Sequence, residues 1–206
     1  MATSLLEREP ELGVLQAAVV EAAAGRGSVV LVLGEAGIGK TSLLRAFVDG
    51  VSGSAAVLSG SCDDLLTPRA LGPLRDAARG RRGPLADALA GTNPGAVFSA
   101  VTDELSGGEH PTVLVVEDVH WADSATLDVV RYVGRRIGEL PAVLLLTYRD
   151  DELGREHPLR GVLGGLTGPQ VRRLVLRPLS PAAVSILAAR TARPFPATSK
   201  CCAATS

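Results

Sequence analysis

The chain has 206 residues, of which 46% are hydrophobic and 21% charged, with a net charge of −1. That length suits one ordinary domain with a real core, and the composition excludes a wholly disordered chain. The charge balance gives no global basic excess to attract phosphate backbones.

The opening "MATSLLEREPEL" reaches acidic residues within seven positions and carries no long apolar stretch, so neither a secretory signal nor a targeting presequence is expected. No run approaches about 20 consecutive apolar residues, so no membrane span is expected and the cytoplasm is the default location. Cys62 stands alone and Cys201 lies beside Cys202, which matches neither a metal-ligand spacing nor a disulfide framework and suggests a reducing compartment.

From Arg8 to Ala24, Leu12, Leu15 and Val19 recur at helical spacing, and Gly25 and Gly27 supply a stop. Val29 to Leu33 is an uninterrupted apolar run, as in a strand buried on both faces of a parallel sheet. Glycines follow it, and then Leu44, Phe47 and Val48 return to helical spacing. Ala55 to Ser59 reads as a second strand. The middle of the chain, broken by Pro68, Pro73, Pro84 and Pro94, reads as short helices around 71–78 and 95–105. Arg69, Arg75, Arg79, Arg81 and Arg82 form a local basic stretch, read as a solvated helix face.

"TVLVVED" from Thr112 is a third strand, and the helix after it has Asp123 or Ser124 as its candidate cap and Leu127, Val130 and Val133 on its apolar stripe. "AVLLLTYRD" from Ala142 and "VRRLVLRPL" from Val171 give a fourth and a fifth strand. "SPAAVSILAAR" opens a last helix with Ser180 as cap and Pro181 in its first turn. Strands alternating with helices imply crossover connections and a mainly parallel five-stranded sheet covered on both faces, a three-layer α/β sandwich. The stretch 194–206, with two prolines, small polar residues and no apolar period, reads as a disordered tail.

The chemistry concentrates at "GEAGIGKT", Gly34 to Thr41, which fits G-x-x-x-x-G-K-[ST] between a buried strand and a helix. Glycines let successive N–H groups turn inward on a polyphosphate, and the following helix presents its positive end. Lys40, one of two lysines in a chain that otherwise uses arginine, places a compact charge against the outer phosphates, where the planar fork of arginine suits less well. Thr41 offers a hydroxyl to Mg2+. The phosphate-binding set is therefore Gly34, Glu35, Ala36, Gly37, Ile38, Gly39, Lys40, Thr41 and Ser42.

"VLVVEDVHWAD" places Glu117 and Asp118 at the carboxyl end of a strand, the edge where open parallel sheets hold ligands. Neighbouring strand residues point oppositely, so the two acids take different roles: one faces the metal, the other polarises water near the γ-phosphate. The residues leave open which does which. His120 reads first as a structural hydrogen-bonding group, with contact to the γ-phosphate region as the alternative; Trp121 reads as packing. Thr147 and Arg149 end the fourth strand on the same edge, where a cation can sense the terminal phosphate; the competing reading is a surface ion pair of Arg149 with Asp150, Asp151 or Glu152.

With these motifs in place, the sequence resembles the AAA-like ATPase module of the STAND class of P-loop NTPases, as found near the N-terminus of large bacterial LuxR-type transcriptional regulators. The resemblance runs from about Leu5 to Ala189. "LLEREPEL" is similar to that family's opening segment across the adenine, "GEAGIGKTSLL" and "VEDVHWAD" to its two nucleotide motifs, "LLTYRDDE" to its sensor strand, and "LRPLSPAAV" to the entry of its helical lid. The resemblance implies ATP and Mg2+, slow hydrolysis and a nucleotide-controlled switch. It places Lys40 and Thr41 on phosphate and metal, Glu117 and Asp118 as metal and catalytic acids, Arg149 as sensor and Arg8 on the adenine side. Two positions depart: Glu7 stands where many members have Gly, and Glu117 where Asp is more usual.

The expected organisation is an adenine-side segment and helix over 1–27, an ATPase core over 28–178, the start of an incomplete helical lid over 179–193 and the tail beyond it. Since such regulators continue into a full lid, a sensing repeat array and a DNA-binding helix-turn-helix, the sequence reads as a truncated gene product or a separately encoded core. The expected partners are ATP or ADP and a second copy or a related ATPase domain, with no nucleic acid bound directly. The rival readings are a non-hydrolysing ATP-dependent interaction module and, after it, a small-molecule P-loop kinase.

Overall fold

The computed structural model describes residues 5–93 and 95–191. The expected disordered tail, 194–206, lies outside them.

Five strands form one all-parallel sheet: β1 (Ser28–Leu33), β2 (Ala56–Ser61), β3 (Thr112–Glu117), β4 (Ala142–Tyr148) and β5 (Val171–Val175), in the order β2-β3-β4-β1-β5. β1, β3 and β4 are buried along nearly their whole length, as their apolar runs require. Around the sheet lie α1 (Glu9–Ala23), α2 (Lys40–Val51), α3 (Gly72–Ala77), α4 (Pro84–Ala90), α5 (Ala96–Ser106), α6 (Ser124–Arg136), α7 (Pro158–Gly165) and α8 (Pro181–Thr191).

Alternation along the strands splits the interior into two cores, which makes the three layers. Val30 and Val32 of β1, Val113 and Val115 of β3, and Val143 and Leu145 of β4 pack with Leu15, Ala18, Val19 and Ala22 of α1 and Leu43, Leu44, Phe47 and Val51 of α2. Val29, Leu31, Leu114, Val116, Leu144 and Leu146 point the other way, toward α3 to α7. Each pair of faces buries a continuous apolar layer, the dominant favourable term of folding.

The expected strands and the helices at 9–23, 72–77 and 96–106 are present. Asp123 rather than Ser124 caps α6, its Oδ1 accepting from the Thr126 N–H at 3.1 Å. Ser180 caps α8, its Oγ accepting from the Ala183 N–H at 3.2 Å. Two helices had no clear signal, α4 and α7; both are short and start at proline. The basic stretch is more than a solvated face: Arg75 donates to Leu89 O at 2.8 Å and Arg81 to Val57 O at 2.7 Å, tying α3 and its following turn to their neighbours.

β2 and α3 touch at a point that has no room for a side chain. A Cβ at Gly60 would fall 1.9 Å from Pro73 O, so backbone must move to admit one. Gly60→Ala is expected to destabilise the protein by about 3 kcal/mol, the upper range of overpacking, read as a lower urea midpoint with an unchanged slope.

Candidate functional site

The loops leaving the carboxyl ends of β1, β3 and β4 meet at one rim of the sheet. β1 ends at Leu33 and the chain turns through Gly34 to Gly39 into α2. Gly37 (φ +73°) and Gly39 (φ +104°) hold left-handed backbone that other residues adopt only under strain. Gly39 is the N-cap of α2 and no side chain caps that helix, so the first-turn N–H groups are left to the loop. Lys40 is 8% exposed and its Nζ donates to Gly34 O at 2.7 Å and Glu35 O at 3.0 Å, folding the ammonium back over the loop. Burial pulls its pKa below the ordinary lysine value, opposed by the charge of Asp118.

At the end of β3, Glu117 is half-buried, and Thr41 Oγ1 of α2 donates to its Oε2 at 3.2 Å. Desolvation raises the Glu117 pKa above the usual carboxylate value, and the Thr41 hydrogen bond opposes the shift. Asp118 turns away from the strand at φ +50°, an uncommon conformation that Asp tolerates better than most residues. Its N–H donates to the buried Thr147 Oγ1 of β4 at 2.9 Å, so the neighbouring strand fixes the turn. The Asp118 charge acts on Lys40, His120 and Arg149. Glu117 therefore joins Thr41, whereas Asp118 makes no such contact and its charge also raises the Glu117 pKa.

β4 brings Arg149 to the same rim. The β1–β4 register pairs Leu33 with Tyr148, so the next residues, Gly34 and Arg149, leave the sheet side by side. The guanidinium is bound to Glu152 and lies 5.1 Å from the centroid of the Trp121 ring. His120, 4% exposed, packs its ring against Trp121 with centroids 4.5 Å apart. It is not the hydrogen-bonding group its sequence setting suggested. Nε2 comes within 3.0 Å of Glu152 Oε2 but out of line, and neither ring nitrogen has a hydrogen-bond partner. Burial holds its pKa below the ordinary histidine value, which leaves the ring neutral at pH 7.

The segment before α1 closes the other flank. Arg8, 5% exposed, donates through one terminal nitrogen to Ile38 O at 3.3 Å and Arg177 O at 2.7 Å, bridging the glycine loop and the link from β5 to α8. Glu7 adopts φ +54°, the left-handed region in which glycine is the easy residue, and its carboxylate accepts from the Ser180 N–H at 2.8 Å and the Ser180 hydroxyl at 2.5 Å. Arg8→Ala removes the buried guanidinium that bridges the two segments and is expected to lower stability by about 1 kcal/mol in chemical denaturation.

Residues 4–146 match the family model described as the AAA ATPase domain, well over half of the chain. The chain belongs to the AAA ATPase domain family. An uncharacterised protein from Rhizobium meliloti (strain 1021) is 28% identical over 221 residues, an alignment covering 84% of this chain and 21% of that protein. This AAA domain therefore spans about a fifth of the length of the curated relative it matches. Among solved structures, Cdc6p from Pyrobaculum aerophilum is similar with a TM-score of 0.62 at 19% identity, covering 91% of this chain and 50% of that one. The Orc1 protein of Aeropyrum pernix, solved in complex with DNA, gives 0.58 at 21% identity over 91% of this chain and 50% of its own. At such identities the likeness is one of fold.

In this AAA domain the rim also fits a divalent metal. The pairing of Thr41 with Glu117 offers two hard oxygens, and no cluster of three or more His, Cys, Asp or Glu side chains able to hold a metal occurs among the described residues. That donor set suits Mg2+, which takes its remaining oxygens from phosphates and water instead of an all-protein cage. No helix among the described residues is long and apolar enough to cross a membrane.

The structure brings Gly34 to Ser42, Glu117, Asp118 and Arg149 to one sheet edge, with Arg8 behind the loop. Of the three acids offered as ion-pair partners of Arg149, Glu152 is the one that pairs with it, so the competing reading of Arg149 holds in the free protein. The contact of Glu7 with Ser180 joins residues 173 positions apart, with no local pattern to announce it.

Proposed function

We propose that this AAA domain is an ATP·Mg2+-binding switch that hydrolyses ATP slowly, and that it belongs to a bacterial signalling or transcriptional regulator of the STAND, LuxR-type kind. The observation that carries the reading is the meeting of Lys40, at the mouth of the Gly34–Thr41 loop, with the Thr41–Glu117 pair across the sheet edge. A cation for phosphate and an oxygen pair for metal, one residue apart in sequence and fixed by two strands, are what a nucleoside triphosphate with its divalent ion needs.

In this reading Lys40 exchanges two backbone carbonyls for phosphate oxygens, while the loop amides and the start of α2 receive the remaining charge. Thr41 and Glu117 hold the Mg2+, which neutralises phosphate charge when bound. Asp118, the acid set apart from the metal pair, accepts hydrogen bonds from the attacking water, and Arg149 stabilises charge on the outer phosphate. Residues 28–178 form the catalytic core and 179–193 begin a lid, which the Glu7–Ser180 contact ties to the adenine side. The cytoplasm and pairing with another ATPase domain belong to the same proposal.

Calorimetric titration with MgATP, MgADP and MgGTP, run beside a phosphate-release assay, tests it. Micromolar binding of the adenine nucleotides with slow turnover is expected; a folded chain that binds none of the three excludes the proposal.

A further inference from the structure

We propose that Glu152 is a specificity-determining residue of this site: it holds Arg149 on Trp121 in the free protein, and only a ligand with an outer phosphate draws the guanidinium away. The inference rests on the nucleotide-binding reading above and adds the means by which a nucleoside triphosphate is told from a diphosphate.

Glu152 is exposed, but the turn that carries it is fixed. Its turn is closed by the Leu153 N–H donating to Asp150 O at 3.2 Å, and Leu153 itself is 5% exposed. Arg160 of α7 clamps the same turn, donating to Leu153 O at 2.7 Å and Gly154 O at 2.9 Å. Held this way, the carboxylate accepts from the Arg149 guanidinium on Oε1, while Oε2 lies 3.0 Å from His120 Nε2 without a hydrogen bond between them. Arg149 is thereby confined between a fixed acid and the face of Trp121.

The held position is incomplete. Arg149 Nε is buried without a hydrogen-bond partner, a state that costs stability and marks a side chain with a better place to go. That place is beside it: Arg149 leaves β4 level with Gly34, the first residue of the phosphate loop, and its charge acts on Lys40. The outer phosphate of a nucleoside triphosphate offers three anionic oxygens to a planar fork of donors, a stronger pairing than one carboxylate. A diphosphate offers no group at that reach. Triphosphate binding therefore releases Glu152 and uncovers the indole, whereas diphosphate binding leaves both in place. Because breaking the Arg149–Glu152 contact opposes triphosphate binding alone, Glu152 sets the ratio of the two affinities.

Trp121 is the one tryptophan of the chain, so its emission reports this exchange directly. It also borders an open cleft of about 200 Å3 with Asp63, Asp64 and Pro158, which gives the ring room to change its surroundings. The experiment measures Trp121 emission and the dissociation constants for Mg2+ with adenylyl imidodiphosphate and for Mg2+ with ADP, in the wild type, Glu152→Gln, Arg149→Ala and the double variant.

The imidodiphosphate, and not ADP, should shift the wild-type emission. Glu152→Gln should bind the imidodiphosphate about threefold tighter, the scale of a partly exposed ion pair, with ADP affinity unchanged. Its free-state emission should already lie displaced toward that of the triphosphate-bound wild type. In the Arg149→Ala background, Glu152→Gln should leave the affinity ratio where it was. An equal gain in that background would show bare charge repulsion by Glu152 and overturn the proposal. So would an unchanged ratio in Glu152→Gln when the wild type binds both ligands. If the wild type, folded by circular dichroism, binds neither, the nucleotide reading fails and this inference falls with it.

Discussion

Lys40→Ala is expected to weaken MgATP binding by about 100-fold, close to 2.7 kcal/mol, while leaving the protein folded. The magnitude follows from removing charge-assisted hydrogen bonds to phosphate, each roughly twice as strong as a neutral one. In the free protein the same ammonium satisfies Gly34 O and Glu35 O, so the variant should also melt slightly lower without ligand. Lys40→Arg separates charge from shape. The fork keeps the positive charge at a site 8% exposed, yet cannot follow the compact path of the lysine between two loop carbonyls. It should recover only a small part of the lost affinity. Calorimetric dissociation constants for the three proteins check both statements.

The second large effect separates the two acids. Asp118→Asn is expected to lower phosphate release by about 100-fold or more with MgATP affinity little changed, the usual range for losing a group that handles the reacting proton. Glu117→Gln should instead abolish the gain in affinity that Mg2+ gives, because the carboxylate that meets Thr41 Oγ1 at 3.2 Å is replaced by a neutral amide. Titrations with ATP in EDTA and in excess Mg2+, beside a turnover assay, compare the pair. If both variants lose the same property, the division of roles drawn from the Thr41 contact is wrong.

These expectations depend on features that the sequence carried unevenly. Gly34 to Thr41 was legible because a phosphate loop needs glycine where φ is positive and a lysine at a fixed offset, and Gly37 and Gly39 meet that need. The strand "TVLVVE" was legible because both of its faces are buried, which forces an apolar run. Asp123 was legible because a cap acts on the next turn of its own helix.

The rest is tertiary. α7 begins at proline and holds three of its eight positions as glycine, so local propensity argues against it; burial of Leu159, Val162 and Leu163, with the helix packed beside α6, makes it a helix. His120 looked like a hydrogen-bonding loop residue, and only the packed rim leaves both of its nitrogens without partners. The separation of Glu117 from Asp118 was expected from strand alternation alone. Which acid meets Thr41 depended on how β3 sits against α2, and no spacing encodes that.

The central claim is that backbone amides of Gly34 to Thr41, with Lys40, enclose a nucleotide's phosphates at the rim where Glu117 lies. Amide nitrogen–proton correlation spectra of the labelled protein, recorded as MgADP is added, test this most directly. The account predicts that the largest shifts fall on Gly37, Gly39, Lys40 and Thr41, with smaller ones at Asp118. Shifts confined to other surfaces, with those loop amides unmoved at saturating nucleotide, would contradict it.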